Sequence, residues 1–198
     1  MDGACPPART DAAKELPRDV LVRCVAGDVD AFRDFVARYE RPVYALLGRM
    51  LGGGADVEDL AQEVFLRAFR ALSAFDVDGG ARPSTWLLTI ATRLALDVRK
   101  RRRPPLAAMD RAARDVAADA ADPEATSFRA ELGRAIARAA DELPDEQRAA
   151  WILAEFHDLT TQEIARILDV PEATAKTRVF RAREKMRARL AHLRGDGT

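Results

Sequence analysis

Ala175, Val179, Ala182, Met186 and Leu190 follow one another at steps of four, three, four and four, a spacing that lies along one face of an α-helix and no face of a strand. Just upstream, Thr160-Thr161-Gln162-Glu163 has the form of a capping box. Thr160 is positioned to accept from the third helical N–H and Glu163 to reach back to the N–H of Thr160 itself, so a short helix carrying Ile164, Ile167 and Leu168 starts there. Asp169-Val170-Pro171 turns the chain between the two. A short helix, a tight turn and a longer amphipathic helix make a helix-turn-helix, whose second helix enters the major groove of DNA. The charge agrees: from Asp169 to Arg194 there are eight basic and three acidic residues, and the basic ones leave the apolar stripe free. Lys176, Thr177 and Phe180 fall near the start of that helix on its outward side, where base-reading residues sit. Taken alone, the helix has a second reading, a solvated basic face with Phe180 filling a gap against another helix.

The rest of the chain repeats the helical spacing. From Asp28, the positions Phe32, Phe35/Val36, Tyr39, Val43, Leu46/Leu47 and Met50 mark one long helix with a kink expected at Pro42 and a stop at Gly52-Gly53-Gly54. A second helix over Asp56–Leu72 opens on Asp56, Glu58 and Asp59, where the helix dipole favours negative charge, and buries Val57, Leu60, Val64, Phe65 and Leu72. Ser73 to Pro83, with Gly79-Gly80, reads as a loop. Ser84–Arg103 is helical again around Trp86, Leu87, Ile90, Leu94 and Val98, and its second half holds six basic residues against one acidic from Arg93 to Arg103. After Pro104-Pro105 the chain turns Ala- and Asp-rich until helices resume at Phe128–Glu142 and, past Leu143-Pro144-Asp145, around Ala149, Ile152, Leu153 and Phe156. The expected fold is therefore all-α, in two small helical domains joined by a flexible linker, the C-terminal one a helix-turn-helix. Its expected segments are a frayed terminus over 1–19, a first domain over 20–104, a linker over 105–127 and a second domain over 128–194.

Several function classes drop out on composition. The formal net charge of +0 hides an uneven distribution, because the basic residues concentrate in two helices. Cys5 and Cys24 form no CxxC pattern and have no nearby His, so neither a disulfide framework nor a zinc cluster is indicated, and a reducing cytoplasm fits. No apolar run approaches the length of a membrane span or a signal peptide. Nothing forms a convincing nucleophile, carboxylate pair or phosphate-cradling glycine loop, and His157 and His192 stand alone, so no enzyme, metal or cofactor is expected.

Longer stretches then carry a resemblance. Leu143-Pro-Asp-Glu-Gln-Arg148, Ala154-Glu-Phe-His-Asp-Leu-Thr-Thr-Gln-Glu-Ile-Ala165 and Pro171-Glu-Ala-Thr-Ala-Lys-Thr-Arg-Val-Phe-Arg-Ala-Arg183 resemble region 4 of the extracytoplasmic-function (ECF) sigma factors of bacterial RNA polymerase, in the sigma-70 superfamily. Upstream, Asp56-Val-Glu-Asp-Leu-Ala-Gln-Glu-Val-Phe-Leu-Arg-Ala-Phe69 is similar to the family's region 2.2, and Thr85-Trp-Leu-Leu-Thr-Ile-Ala91 with Asp97 and the arginine run resembles regions 2.3 and 2.4. The two matches stand in the family's order.

The resemblance implies an alternative sigma factor whose first domain binds core RNA polymerase and reads the minus-10 element, while the second reads the minus-35 element. The polymerase partners would be the clamp helices and flap of the large subunits. Asp59, Gln62, Glu63, Arg67 and Arg70 would meet the clamp helices; on charge pattern alone they read as an ordinary solvated face. The loop from Ala74 to Pro83, with Asp76, Asp78 and Arg82, would capture a base flipped out of the melted strand. Arg93, Arg99, Lys100 and Arg101 would hold minus-10 DNA, the last three through phosphates. At minus-35, Lys176, Thr177 and Phe180 would touch bases and Arg178, Arg181 and Arg183 phosphates. Ala173 stands where relatives have Gly at the helix start, and Arg93 where many have Asn. Trp86 could be a stacking platform for an unpaired base, but its spacing with Ile90 and Leu94 places it on the apolar face and favours a core role. Anti-sigma control is a further expectation of the resemblance. The rival readings are a conventional helix-turn-helix regulator whose first domain senses a ligand or dimerises, and a protein-interaction bundle, which would leave the arginine-rich helices unexplained.

Overall fold

The computed structural model describes residues 15–52, 54–102 and 123–191 of the 198-residue chain. Among these residues the regular structure is eight α-helices and one 3₁₀ turn, with no strand. The helices are α1 (Arg18–Val25), α2 (Val29–Leu51), α3 (Ala55–Ala71), α4 (Pro83–Arg102), α5 (Pro123–Asp141), α6 (Asp145–Phe156), α7 (Thr161–Leu168) and α8 (Glu172–Arg189), with the 3₁₀ turn Leu72–Ala74 after α3.

The ends of α2 are set by two residues. The Asp28 carboxylate accepts from the N–H groups of Asp30 and Ala31 at 2.9 and 3.0 Å, and Gly52, at φ +86°, closes the other end by donating to the Gly48 carbonyl at 2.8 Å. Between them α2 runs unbroken through Pro42, so the expected kink does not divide it. Its buried face, Phe35, Tyr39, Val43, Leu46, Leu47 and Met50, packs against Val57, Ala61, Val64 and Ala68 of α3 and Leu87, Leu88, Ala91, Leu94 and Ala95 of α4. Burying each of the large side chains stabilises the domain by about 1.5–3 kcal/mol.

Three expectations are corrected. The frayed terminus does not extend to 19. Leu16 is buried, the Glu15 carboxylate accepts from the Tyr39 hydroxyl at 2.7 Å and from the Ser84 hydroxyl, Tyr39 in turn accepts from the Leu16 N–H at 3.0 Å, and α1 begins at Arg18. The linker does not reach 127, because α5 already begins at Pro123, a residue that loses nothing at the first helical position. The stretch from 103 to 122, with Arg103, lies outside the described residues, as do Cys5, Gly53 and His192. Finally, Leu60 and Phe65 of α3 are only partly buried, the small Ala61 and Ala68 taking the fully buried positions, while Leu66 and Phe69 are exposed.

In the second half, α5 to α8 enclose Leu143, Ile152, Leu153, Ile164, Ile167, Val179 and Met186. The two halves also pack on each other. α6 lies against α2 and α4, and α7 against α4.

Candidate nucleic-acid interface

The capping box forms as the sequence requires. The Thr160 hydroxyl accepts from the Glu163 N–H at 3.3 Å, and the Glu163 carboxylate accepts from the Thr160 N–H at 2.9 Å. α7 ends on Asp169, whose φ of +53° is left-handed, a conformation that Asp tolerates better than most side chains. The Val170 N–H then returns to the Ala165 carbonyl at 3.0 Å, and Pro171 leads into α8. Because Asp169 supplies the positive φ, Ala173 sits inside α8 as an ordinary helical residue, and a Gly is not needed there.

α8 turns Ala175, Val179, Ala182 and Met186 inward and leaves Lys176, Thr177, Arg181 and Arg183 exposed. Phe180 is 63% exposed, which overturns the reading of it as a gap filler. The Thr177 hydroxyl donates to the Ala173 carbonyl of its own helix at 2.8 Å, so its lone pairs face outward as acceptors. Two of the expected phosphate contacts are engaged by acids of α6: Arg178 with Glu146 and Arg183 with Glu155, each at 2.6 Å.

The first half splits the basic run by helical rotation. Arg93, Lys100 and Arg101 are exposed on α4. Arg99, by contrast, points inward with a side chain 10% exposed: its Nη1 donates to the Met50 carbonyl at 2.7 Å and its Nε to Asp145 of α6 at 2.5 Å. In this arrangement Arg99 is not available to a phosphate, a correction to its expected place beside Lys100. The loop before α4 is built on Asp76, whose carboxylate accepts from the Asp78 N–H at 3.0 Å and leaves no room for a Cβ at Gly79. Asp78 pairs with Arg18 at 2.6 Å, and Arg82 lies 3.7 Å from Glu163 of α7. Trp86 is half-buried, edge-on to Phe75 with ring centroids 5.3 Å apart, as expected of a core residue.

On α3, Asp59, Gln62, Arg67 and Arg70 are exposed, and Glu63 pairs with Arg67 at 2.6 Å. The same surface carries Leu66 and Phe69, 43% and 44% exposed, which the sequence reading missed. Their signal was present: Leu66 and Phe69 fall on the steps of three and four that join Asp59, Gln62, Glu63 and Arg70.

The chain matches the Sigma-70 region 2 family over residues 35–104 and the Sigma-70 region 4 family over residues 133–186. It is 36% identical over 175 residues to the ECF RNA polymerase sigma factor SigW of Bacillus subtilis, covering 84% of this chain and 92% of that protein. The chain belongs to the ECF sigma factors. The ECF RNA polymerase sigma-E factor of Escherichia coli is likewise 36% identical, over 181 residues, 87% of this chain and 93% of the relative. The structure of CnrH in complex with the cytosolic domain of CnrY superposes with a TM-score of 0.66 at 26% identity, over 88% of this chain and 97% of CnrH. The fold is shared too by RpoE from Bartonella quintana, solved with the anti-sigma factor NepR, at a TM-score of 0.62 and 19% identity over 81% and 96% of the two chains. As an ECF sigma factor, this protein directs RNA polymerase to promoters, and none of its described helices is long and apolar enough to cross a membrane.

Proposed function

We propose that this sigma factor reads the minus-35 element with Lys176, Thr177 and Phe180 of α8, backed by Arg178, Arg181 and Arg183, and the minus-10 element with the Asp76–Arg82 loop, Arg93, Lys100 and Arg101, joined by Arg99 once it is released. The observation that carries the reading is the exposed Phe180 beside exposed Lys176 on a helix whose opposite face is fully packed. An aromatic ring left in water next to a cation suits a groove that offers thymine methyls and guanine acceptors. Helices α1 to α4, with Glu15 and Leu16 ahead of them, would form the polymerase and minus-10 unit, and helices α5 to α8 the minus-35 unit.

Core polymerase would dock on the α3 surface, with Leu66 and Phe69 adding apolar contact to Asp59, Gln62, Glu63, Arg67 and Arg70. The protein would act in the cytoplasm with no catalytic residue of its own, leaving the chemistry to polymerase. Control by an anti-sigma protein is supported by the likeness in fold to RpoE from Bartonella quintana, solved with the anti-sigma factor NepR. The test is reconstitution: purified protein with core polymerase should initiate at selected promoters and protect both elements in a footprint. Specific duplex binding without polymerase, and no transcription, would favour a free-standing regulator instead.

A further inference from the structure

The C-terminal end of α2 is a meeting point of the two halves. A helix leaves its last carbonyls without partners and carries partial negative charge there. Two guanidinium groups cover them: Arg99, from the same half, on the Met50 carbonyl, and Arg148, from α6, on the Arg49 carbonyl at 3.0 Å through Nε. Each arginine also holds an acid of the second half. Arg99 pairs with Asp145 and lies 3.8 Å from Asp141, and Arg148 pairs with Asp141. The Arg49 side chain lies 4.1 Å over the Phe156 ring.

Asp141 is the last residue of α5, where a helix dipole disfavours an acid, so its position is compensated by the arginines it meets. Arg99 and Asp145 have side chains only 10% and 12% exposed, which shields their pair from salt. Lys100 and Arg101, the next residues on α4, remain in water. The joint therefore draws one cation out of a basic surface and gives it carboxylates from the other half, the same kind of charge a phosphate would offer.

We propose that Asp141 and Asp145 are an internal stand-in for DNA phosphate: they lock the two halves together through Arg99 and Arg148, so that closure and DNA contact through Arg99 are alternatives. The second clause rests on the reading above that the face of Arg99, Lys100 and Arg101 meets DNA; the lock itself does not.

The test uses the full chain in two measurements. Small-angle scattering should find the wild type compact and the Asp141→Ala/Asp145→Ala variant expanded, with an unchanged circular dichroism spectrum. Titration of a labelled single-stranded DNA of about 30 nucleotides should show the variant binding about five- to tenfold tighter, a gain that disappears when Arg99→Ala is added. A variant as compact as the wild type overturns the lock. A gain that persists without Arg99 is a generic charge effect and overturns the exclusion, as does expansion with no gain. Lys100→Ala/Arg101→Ala separates the two readings: unchanged DNA binding there sinks the DNA-facing assignment, while the scattering result still decides the lock.

Discussion

Arg148 and Arg49, 99 residues apart, hold each other's helices: the Arg148 guanidinium donates to the Arg49 carbonyl, while the Arg49 guanidinium lies over Phe156 on the helix of Arg148. Arg148 is 2% exposed and burial pulls its pKa below the usual arginine value, with the neighbouring Arg99 adding to the effect. Removing it leaves the Arg49 carbonyl without this donor and Asp141 with only the more distant Arg99 at 3.8 Å. Arg148→Ala is expected to lower stability by about 3 kcal/mol in urea unfolding, and Arg148→Lys, whose single nitrogen does not span the two acceptors as the planar guanidinium does, to recover only part.

Phe180 and Lys176 touch little of the protein itself. Phe180→Ala or Lys176→Ala should leave the melting temperature within about 1 °C. The same changes should weaken holoenzyme binding at a cognate minus-35 site by about 1–3 kcal/mol, with little effect on unrelated DNA. Equal loss on both DNAs would reduce α8 to a nonspecific cation.

Leu66 stands 43% exposed on the α3 surface. Leu66→Asp places a charge there at small folding cost, and should weaken association with core polymerase by about tenfold in a fluorescence titration. Association as tight as in the wild type would remove Leu66 from the docking surface.

His157 gives the second half a pH dependence. Burial first, and then the nearby Arg49, hold its pKa down to about 4. Among the described residues its buried Nε2 has no hydrogen-bond partner, which suits a neutral ring. The unfolded chain binds a proton near the ordinary value of about 6.5, so between the two values the unfolded state carries more protons. The contribution is full above about pH 6.5 and declines as pH falls toward 4, to a loss of up to about 3 kcal/mol. His157→Gln should flatten that segment of the stability profile; a wild-type profile already flat there would show that His157 titrates normally.

The helix-turn-helix was legible because its signals are local. The steps of three and four that place Ala175, Val179, Ala182 and Met186 inside span only a few turns, and Thr160 and Glu163 are three residues apart. Arg99 was not legible. In sequence it is one of a row of cations, and its acid partner stands 46 residues later in another helix. Nothing local distinguishes it from Lys100. Leu66 and Phe69 were missed because the outward face of α3 was read from its charged and amide residues alone, while Leu60 and Phe65 were assigned to the inner face. Ala61 and Ala68 carry too little apolar weight to mark the true inner face.

The ties from Glu15 to Tyr39 and Ser84 fix where this protein can be cut. One carboxylate staples α2 to the first turn of α4, directly after the Asp76–Arg82 loop. A chimera that borrows the first half, or a fusion built onto its front, should therefore keep Glu15 and Leu16 with it, because a seam placed at the start of α1 would detach the strut beneath the loop it was meant to transplant.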